Sequence, residues 1–77
     1  MHTKFYVCTH PEHNGVMEIF PQEDFKEVRR VDDRYRILVV TASKGAALEF
    51  VQEAIGAALV IDPQLEHLKQ DIQELYL

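Results

Sequence analysis

Two short apolar runs near the start of the chain predict a pair of β-strands. Residues 5–8 read Phe-Tyr-Val-Cys, and residues 16–20 alternate imperfectly between apolar and polar side chains. Between the two runs lie Pro11, Asn14 and Gly15, which are typical turn residues. A connection of this length favours an antiparallel hairpin.

The middle of the chain predicts a short helix followed by a third strand. Residues 21–31 start with a proline, have acidic side chains early and arginines late, and so match the dipole of a helix at both ends. A strand over residues 25–31 is the alternative. Residues 35–41 are apolar on both faces for most of their length, which predicts a strand at the centre of the sheet, covered by helix on at least one side.

A long apolar helix is predicted from residue 44 to about residue 60, with Ser43 as its N-cap. Its predicted core stripe consists of Leu48, Val51, Ile55 and Leu59, which recur at helical spacing. Alanines widen the apolar surface beyond half of the circumference. We therefore expect this helix to be covered on more than one side, with its small residues allowing another backbone to come close.

A second helix is predicted to begin with Asp62 as the cap and Pro63 at the first helical position, and to run to residue 77. Its apolar positions are three, four and three residues apart and form a narrow seam: Leu65, Leu68, Ile72 and Leu75. Such a seam packs against the rest of the chain's own core or against a second copy.

These elements predict an α+β fold for one small domain over residues 1–77. A small antiparallel sheet of three or four strands is expected to be covered by the two C-terminal helices. The predicted order is β-β-(short α)-β-α-α.

Size and charge narrow the functional classes. The 77 residues suffice for one domain with a thin stability margin, and such chains often recruit a metal or a partner subunit. The net charge of −5 disfavours binding to nucleic acid. Residues 45–77 contain six acidic side chains against the single Lys69, so the acidic excess belongs to the C-terminal half.

The location is predicted to be cytoplasmic and soluble. A single cysteine cannot close an internal disulfide, and a free thiol is typical of a reducing compartment. Residues 1–4 do not resemble a secretion signal, and the longest apolar stretch is far shorter than the about 20 residues that span a bilayer.

One stretch concentrates side chains that can bind a metal. Cys8, His10 and His13 form a Cys-x-His-x-x-His pattern, and thiolate and imidazole are ligands that zinc and copper prefer. His2 or Glu12 is a candidate fourth ligand. The alternative is that Cys8 is a small core residue and the histidines are polar turn residues. No other cofactor is indicated.

Four arginines lie close together in the sequence: Arg29, Arg30, Arg34 and Arg36. They are candidates for contacts with nucleic acid phosphates, but interleaved acidic residues cancel their charge. An acidic protein surface is the better partner, and the C-terminal helix of a second copy would supply one. Arg29 and Arg30 therefore join the seam of Leu65, Leu68, Ile72 and Leu75 as the predicted protein interface.

The leading interpretation is a small acidic, non-enzymatic protein-binding module that acts as a regulator, adaptor or inhibitor. Its predicted partners are a second copy, in a homodimer, and an unidentified protein, with no membrane involved. A metal-binding or metal-sensing protein is the first alternative, and a nucleic-acid-contacting domain is the second. A cysteine nucleophile at Cys8 would need a lowered pKa and an orienting third group, which the sequence does not indicate.

The element order, together with residues 5–7, 14–16 and 48–51, resembles the small N-terminal hybrid-binding domain of some ribonucleases H. The resemblance is one of topology. The aromatic and lysine contacts of that domain have no match here, the chain is acidic and its last helix is additional, so no functional residue is transferred.

Overall fold

A computed structural model describes residues 3–13 and 15–77, and it confirms the α+β fold. The elements follow the predicted order, with three strands and three helices in the described residues. They are β1 (Phe5–Thr9), β2 (Glu18–Pro21), α1 (Gln22–Val31), β3 (Arg36–Thr41), α2 (Lys44–Ile61) and α3 (Leu68–Tyr76).

The three strands form one antiparallel sheet in the order β2-β1-β3. Tyr6 on β1 lies opposite Phe20 on one side and Val40 on the other. The prediction that residues 35–41 form the central strand is therefore wrong, because β1 pairs with both neighbours and β3 is an edge. Its position on the edge is compatible with an apolar sequence because helices cover the sheet on both faces. Cys8 and Val7 of β1 are fully buried on opposite sides of this sheet.

The second strand begins later than predicted, at Glu18 instead of residue 16. Val16 and Met17 precede the strand, and their partly buried side chains pack against the cluster that contains Ile72 of α3. Pro21 ends β2 in an extended conformation (φ −58°, ψ 151°), so it precedes the first helical residue of α1. Asn14 of the predicted turn lies outside the described residues.

Helix α1 confirms the helical interpretation of residues 21–31 over the strand alternative. Acidic Glu23 and Asp24 occupy its first turn and basic Arg29 and Arg30 its last turn, where each favours the helix dipole. Phe25 is its buried residue and points at the sheet.

An aromatic cluster fills the space between α1 and the sheet. The rings of Tyr6 and Phe25 stack with centroids 4.5 Å apart, and Phe20 meets Tyr35 edge-on at 5.5 Å. Cys8 is buried in the same cluster. Offset and edge-on pairs of this kind stabilise a core beyond the area that they bury.

Helix α2 begins where predicted, because the Ser43 hydroxyl accepts a hydrogen bond from the backbone N–H of Ala46 at 3.1 Å. The predicted core stripe is wrong. The buried residues are Ala47, Ala54 and Ala58, whereas Leu48 and Leu59 of that stripe are exposed. The alanine face allows the helix axis to come close to β1, β3 and α3.

The last helix begins at Leu68, five residues after the predicted start. Asp62 instead ends α2, and its carboxylate accepts hydrogen bonds from the backbone N–H groups of Gln64 and His67, both at 3.2 Å. Leu65 adopts a left-handed conformation (φ 53°), which turns the chain between the two helices. Asp62, which the sequence pattern predicts as the N-cap of the last helix, therefore stabilises the turn between α2 and α3.

Helices cover both faces of the sheet. On β3, Ile37 packs against the aromatic cluster under α1, whereas its neighbour Leu38 packs against the cluster of buried residues in the opposite layer, which is Ala54, Ala58 and Ile72. Helix α3 packs on α2. In the described part of the chain, no helix has the length and apolar character needed to cross a membrane.

Candidate functional site

The turn after β1 holds a buried histidine whose two ring nitrogens are both engaged. His10 is 1% exposed, and its Nδ1 accepts a hydrogen bond from the backbone N–H of Glu12 at 3.1 Å. A nitrogen that accepts from an N–H has no proton of its own, so the ring proton is on Nε2. Nε2 therefore donates to Oδ2 of Asp32 at 2.7 Å.

Asp32 also binds Arg34, which encloses this carboxylate. Its Oδ1 accepts from the Arg34 backbone N–H and Nε, and its Oδ2 accepts from Nη2, all at 3.0–3.1 Å. These bonds, with that from His10, hold the pKa of Asp32 well below its usual range. Arg34 also pairs with Glu12 at 2.6 Å, and its bonds to Asp32 raise its own pKa.

His13 stacks on His10 in nearly parallel planes, with ring centroids 3.9 Å apart. Its Nδ1 lies 3.0 Å from Oε1 of Glu18 and 3.5 Å from the hydroxyl of Tyr35. The Tyr35 ring meets both imidazoles edge-on. Burial, together with the charge of Glu18, raises the pKa of Tyr35.

We call His10, His13, Glu18, Asp32 and Tyr35 the histidine cluster. It connects the turn after β1 to the chain that links α1 to β3. Lys69 connects α3 to the same turn, because its ammonium group donates a hydrogen bond to the backbone carbonyl of His13. Contacts from three distant parts of the chain thus fix this turn.

Cys8 lies beside this cluster but is not placed for chemistry. Its side chain is fully buried, and burial, followed by the charge of Glu18, raises the pKa of the thiol to about 12. The thiol is therefore protonated at neutral pH, whereas nucleophilic attack and metal binding both require the thiolate.

The predicted metal ligands Cys8, His10 and His13 are thus neighbours, but each is committed to other contacts. Among residues 3–13 and 15–77, no group of three or more histidine, cysteine or carboxylate side chains is arranged to hold a metal ion. His2, a candidate fourth ligand, lies outside the described residues. A zinc or copper site at this turn stays a prediction of the sequence.

The four predicted arginines separate into different environments. Arg29 lies with its guanidinium 5.7 Å from the centre of the Phe25 ring, which is within the range of a cation–π interaction. Arg30 is exposed and pairs with Glu27 at 3.1 Å. Arg34 is held in the histidine cluster's salt bridges, and Arg36 is the exposed first residue of β3.

Arg29 and Arg30 line an open groove of about 410 Å³ between α1 and the sheet. We call it the α1 groove, and its lining combines three cations with two aromatic rings and one aliphatic side chain: Tyr6, Phe25, Lys26, Arg29, Arg30 and Ile37. It suits a negatively charged partner with an apolar side chain.

The predicted seam of α3 is largely used inside the chain. Ile72 is fully buried between Ala54 and Ala58, and Leu65 and Leu68 pack against the same cluster. Leu75 is the member that stays accessible, at 41% exposure. The structure therefore favours the core-packing interpretation for three of the four residues.

The sequence pattern identified an apolar row on α2 and assigned it to the core, but the structure leaves both of its ends exposed. Leu48 is 47% exposed and Leu59 is 42% exposed, with Val51 and Ile55 half-buried between them. We call these four residues the α2 stripe. At 3.6 residues per turn the four side chains span about 80° of the helix circumference. The centre of the stripe lies about 80° around the helix from the centre of the buried alanine face.

Sequence reasoning did not identify Asp32, Glu18, Tyr35 or Lys69 as parts of the site around the histidines. Asp32 and Lys69 are 22 and 56 residues from their histidine partners, so no local pattern joins them. The imperfect alternation in residues 16–20, which places an acidic side chain in a strand, was the one available signal for Glu18.

Comparison with known proteins identifies no relative of this chain. No family model matches the chain, and neither a curated protein nor a solved structure matches it. The resemblance to the hybrid-binding domain therefore stays an interpretation of element order.

Proposed function

We propose that this chain is a small non-enzymatic protein-binding module, acting as a regulator, adaptor or inhibitor, and that it works as a homodimer. The α2 stripe is the observation that supports this proposal most directly. Leu48 and Leu59 are more than 40% exposed on a helix whose inner face is already packed. Contiguous exposed apolar surface on a small domain is typical of a surface that binds another macromolecule.

The chemistry of the histidine cluster supports a non-enzymatic role. A general acid or base must reach the proton that it transfers. His10 is buried, and both of its nitrogens are bound within the chain. The neighbouring Cys8 thiol has a pKa of about 12, so it does not supply a nucleophile near neutral pH. These side chains stabilise a turn.

The α1 groove supports a second, different partner. Lys26, Arg29 and Arg30 give it positive charge, while the stacked rings of Tyr6 and Phe25 provide an apolar floor. The rest of the molecule is acidic, with a net charge of −5 for the chain. An acidic segment of another protein, with an aromatic or aliphatic side chain, fits this groove best.

Sedimentation equilibrium tests the homodimer. Across about 1 µM to about 1 mM protein, we expect the mass to rise from that of the 8.9 kDa chain to twice that value. Leu59→Glu should raise the dissociation constant at least about tenfold, since a charge would be buried in an apolar contact.

The matched control is Val60→Glu, which introduces the same charge at a position that is 84% exposed and lies off the stripe. This variant should associate like the unmodified chain. A chain that stays monomeric at about 1 mM, or that associates equally well with Leu59→Glu, would contradict the proposal.

A further inference from the structure

We infer that the α2 stripe binds the same stripe of a second copy, with the two helices antiparallel and centred on the level of Glu53. This inference rests on the proposed homodimer and names its interface. It follows from the positions of the apolar and charged residues along α2, and each step uses residues that the structure describes.

The stripe is symmetric about its own centre. Around a two-fold axis, an antiparallel helix pair brings residue i opposite residue j and residue j opposite residue i. The midpoint between Val51 and Ile55 is residue 53. The midpoint between Leu48 and Leu59 lies about half a residue further along, a shift of roughly 0.8 Å along the helix axis. Each leucine therefore meets a leucine, and Val51 meets Ile55.

The ends of the stripe carry complementary charges with the same centre. Lys44 is the first residue of α2 and Asp62 is its C-cap. They are five helical turns apart, so they lie on the same side of the helix, and the midpoint between them is again residue 53. An antiparallel pair thus places each Lys44 beside the Asp62 of the other copy. A parallel pair would instead bring Lys44 beside Lys44 and Asp62 beside Asp62.

Both end residues are available for this contact. Lys44 is exposed and makes no salt bridge with any described residue. The carboxylate of Asp62 is held at the end of the stripe by two backbone N–H groups, and its oxygens can accept further bonds. Two such ion pairs form per dimer, one at each end.

The polar residues around the stripe suit the edge of an interface. Gln52 and Glu49 are exposed on the solvent side of the leucines. Gly56 lies on the same side, and a Cβ there would meet nothing within 4 Å in the single chain. A second helix can therefore approach at the usual interaxial distance of about 8–10 Å without a clash from this side.

Disulfide trapping tests the register. In the double variant Leu48→Cys/Leu59→Cys, the antiparallel pair brings the two new thiols of different copies together at both ends of the stripe. We expect mild oxidation to convert most of the chain to a covalent dimer, seen on a non-reducing gel. In Leu48→Cys alone the two thiols lie about 16 Å apart, which is too far for a disulfide, so at least about tenfold less dimer should form.

The control is Leu48→Cys/Val60→Cys, which moves one thiol about 100° round the helix, away from the stripe. It should cross-link no better than Leu48→Cys alone. The unmodified chain, whose Cys8 is fully buried, gives the background. Circular dichroism on each variant checks that the fold is retained, which the exposed positions 48, 59 and 60 favour.

Charge reversal gives an independent measurement. Lys44→Glu places a carboxylate beside Asp62 of the other copy at both ends, so the dissociation constant should rise about tenfold at low salt and less at high salt. Lys4→Glu makes the same charge change at an exposed position before β1 and should leave the dissociation constant unchanged.

The outcomes separate the two proposals. A dimer that forms in sedimentation but does not cross-link through positions 48 and 59, or that cross-links through Leu48→Cys alone, overturns the antiparallel register and leaves the homodimer intact. A chain that stays monomeric overturns both.

Discussion

The helix on one face of the sheet buries an aromatic ring, Phe25, whereas the residues that α2 buries on the other face are all alanines. On the first side Phe25 fills the space with a large buried ring, stacked on Tyr6. On the second side Ala54 and Ala58 are fully buried with Ile72, and larger, partly buried side chains such as Phe50 and Tyr76 pack against them. The fully buried residues of α1 and α2 thus differ greatly in size, although both helices cover the same sheet.

This difference explains where accessible apolar surface remains. A short amphipathic helix such as α1 places its large residue Phe25 inward and most of its charges outward, and the apolar surface that stays accessible on this side is the α1 groove and Val31. Helix α2 is apolar around most of its circumference, and its smallest residues face inward because they allow the closest approach. The leucines at positions 48 and 59 consequently face out.

The largest effect is expected for Phe25→Ala, which removes the buried ring of the aromatic layer. Loss of such a ring costs about 4 kcal/mol in free energy of unfolding. A domain of this length has roughly 4–12 kcal/mol in total, so this variant should be at or near global unfolding. Urea denaturation followed by circular dichroism measures it. A loss below about 1 kcal/mol would mean that the aromatic layer does not form as described.

Ile72→Ala tests the second layer and should cost about 3 kcal/mol, because it removes a fully buried side chain and leaves a cavity beside Ala54 and Ala58. Leu75→Ala, on the same helix but 41% exposed, is the matched control and should cost less than about 1 kcal/mol. Hydrogen exchange of α3 locates the effect. Equal losses for the two variants would place the seam of α3 on the surface.

The pKa of Cys8 predicts lower stability in alkaline solution. In the folded chain this thiol stays protonated up to about pH 12, whereas in the unfolded chain it ionises near pH 8.5. The unfolded state therefore binds fewer protons above that pH, and the free energy of unfolding falls by up to about 1.4 kcal/mol per pH unit until pH 12.

Urea titrations from pH 7 to pH 11 measure this slope. Cys8→Ala should give a flatter profile, and the slope that remains in it reports other groups, including Tyr35, whose raised pKa acts in the same direction. Identical profiles for both proteins would show that the thiol is not buried as described.

The smallest effect is expected on the outer surface of α2. Gly56→Ala should stabilise the chain by about 0.5–1 kcal/mol, because alanine restricts the unfolded backbone and its Cβ meets nothing within 4 Å. The control Ala54→Gly removes a buried methyl group from the inner face and should destabilise instead. Because Ala54→Gly loses a buried methyl group in addition to helix propensity, its destabilisation should exceed the stabilisation by Gly56→Ala, and equal magnitudes would show that the alanine face does not point inward. Thermal unfolding at low protein concentration compares them.

Local patterns predicted most of the elements. The acidic start and basic end of residues 22–31 predicted α1, and Ser43 predicted the start of α2, because caps and dipoles act within one helical turn. The start of α3 was wrong for a related reason. An aspartate followed by proline fits a helix start and a tight turn equally well, and Asp62 satisfies backbone N–H groups in the turn.

The candidate site was predictable only in part. Cys8, His10 and His13 attracted attention through their spacing, and in the structure the two histidine rings stack while Cys8 is buried with Phe25 and Tyr35. Their partners Asp32 and Lys69 come from other elements, so no spacing in the sequence relates them to the histidines.

The amino-acid sequence by itself determined which segments form helices and strands, because these depend on periodicity, caps and turn residues within a few positions. It also determined that α2 has more apolar surface than packing against the sheet on one side can bury. The tertiary structure alone decided which strand is central and which face of α2 points inward. Both outcomes depend on how closely a helix can approach the sheet and its neighbouring helix. The alanine face of α2 allows a closer approach to the sheet and to α3 than its leucine face would.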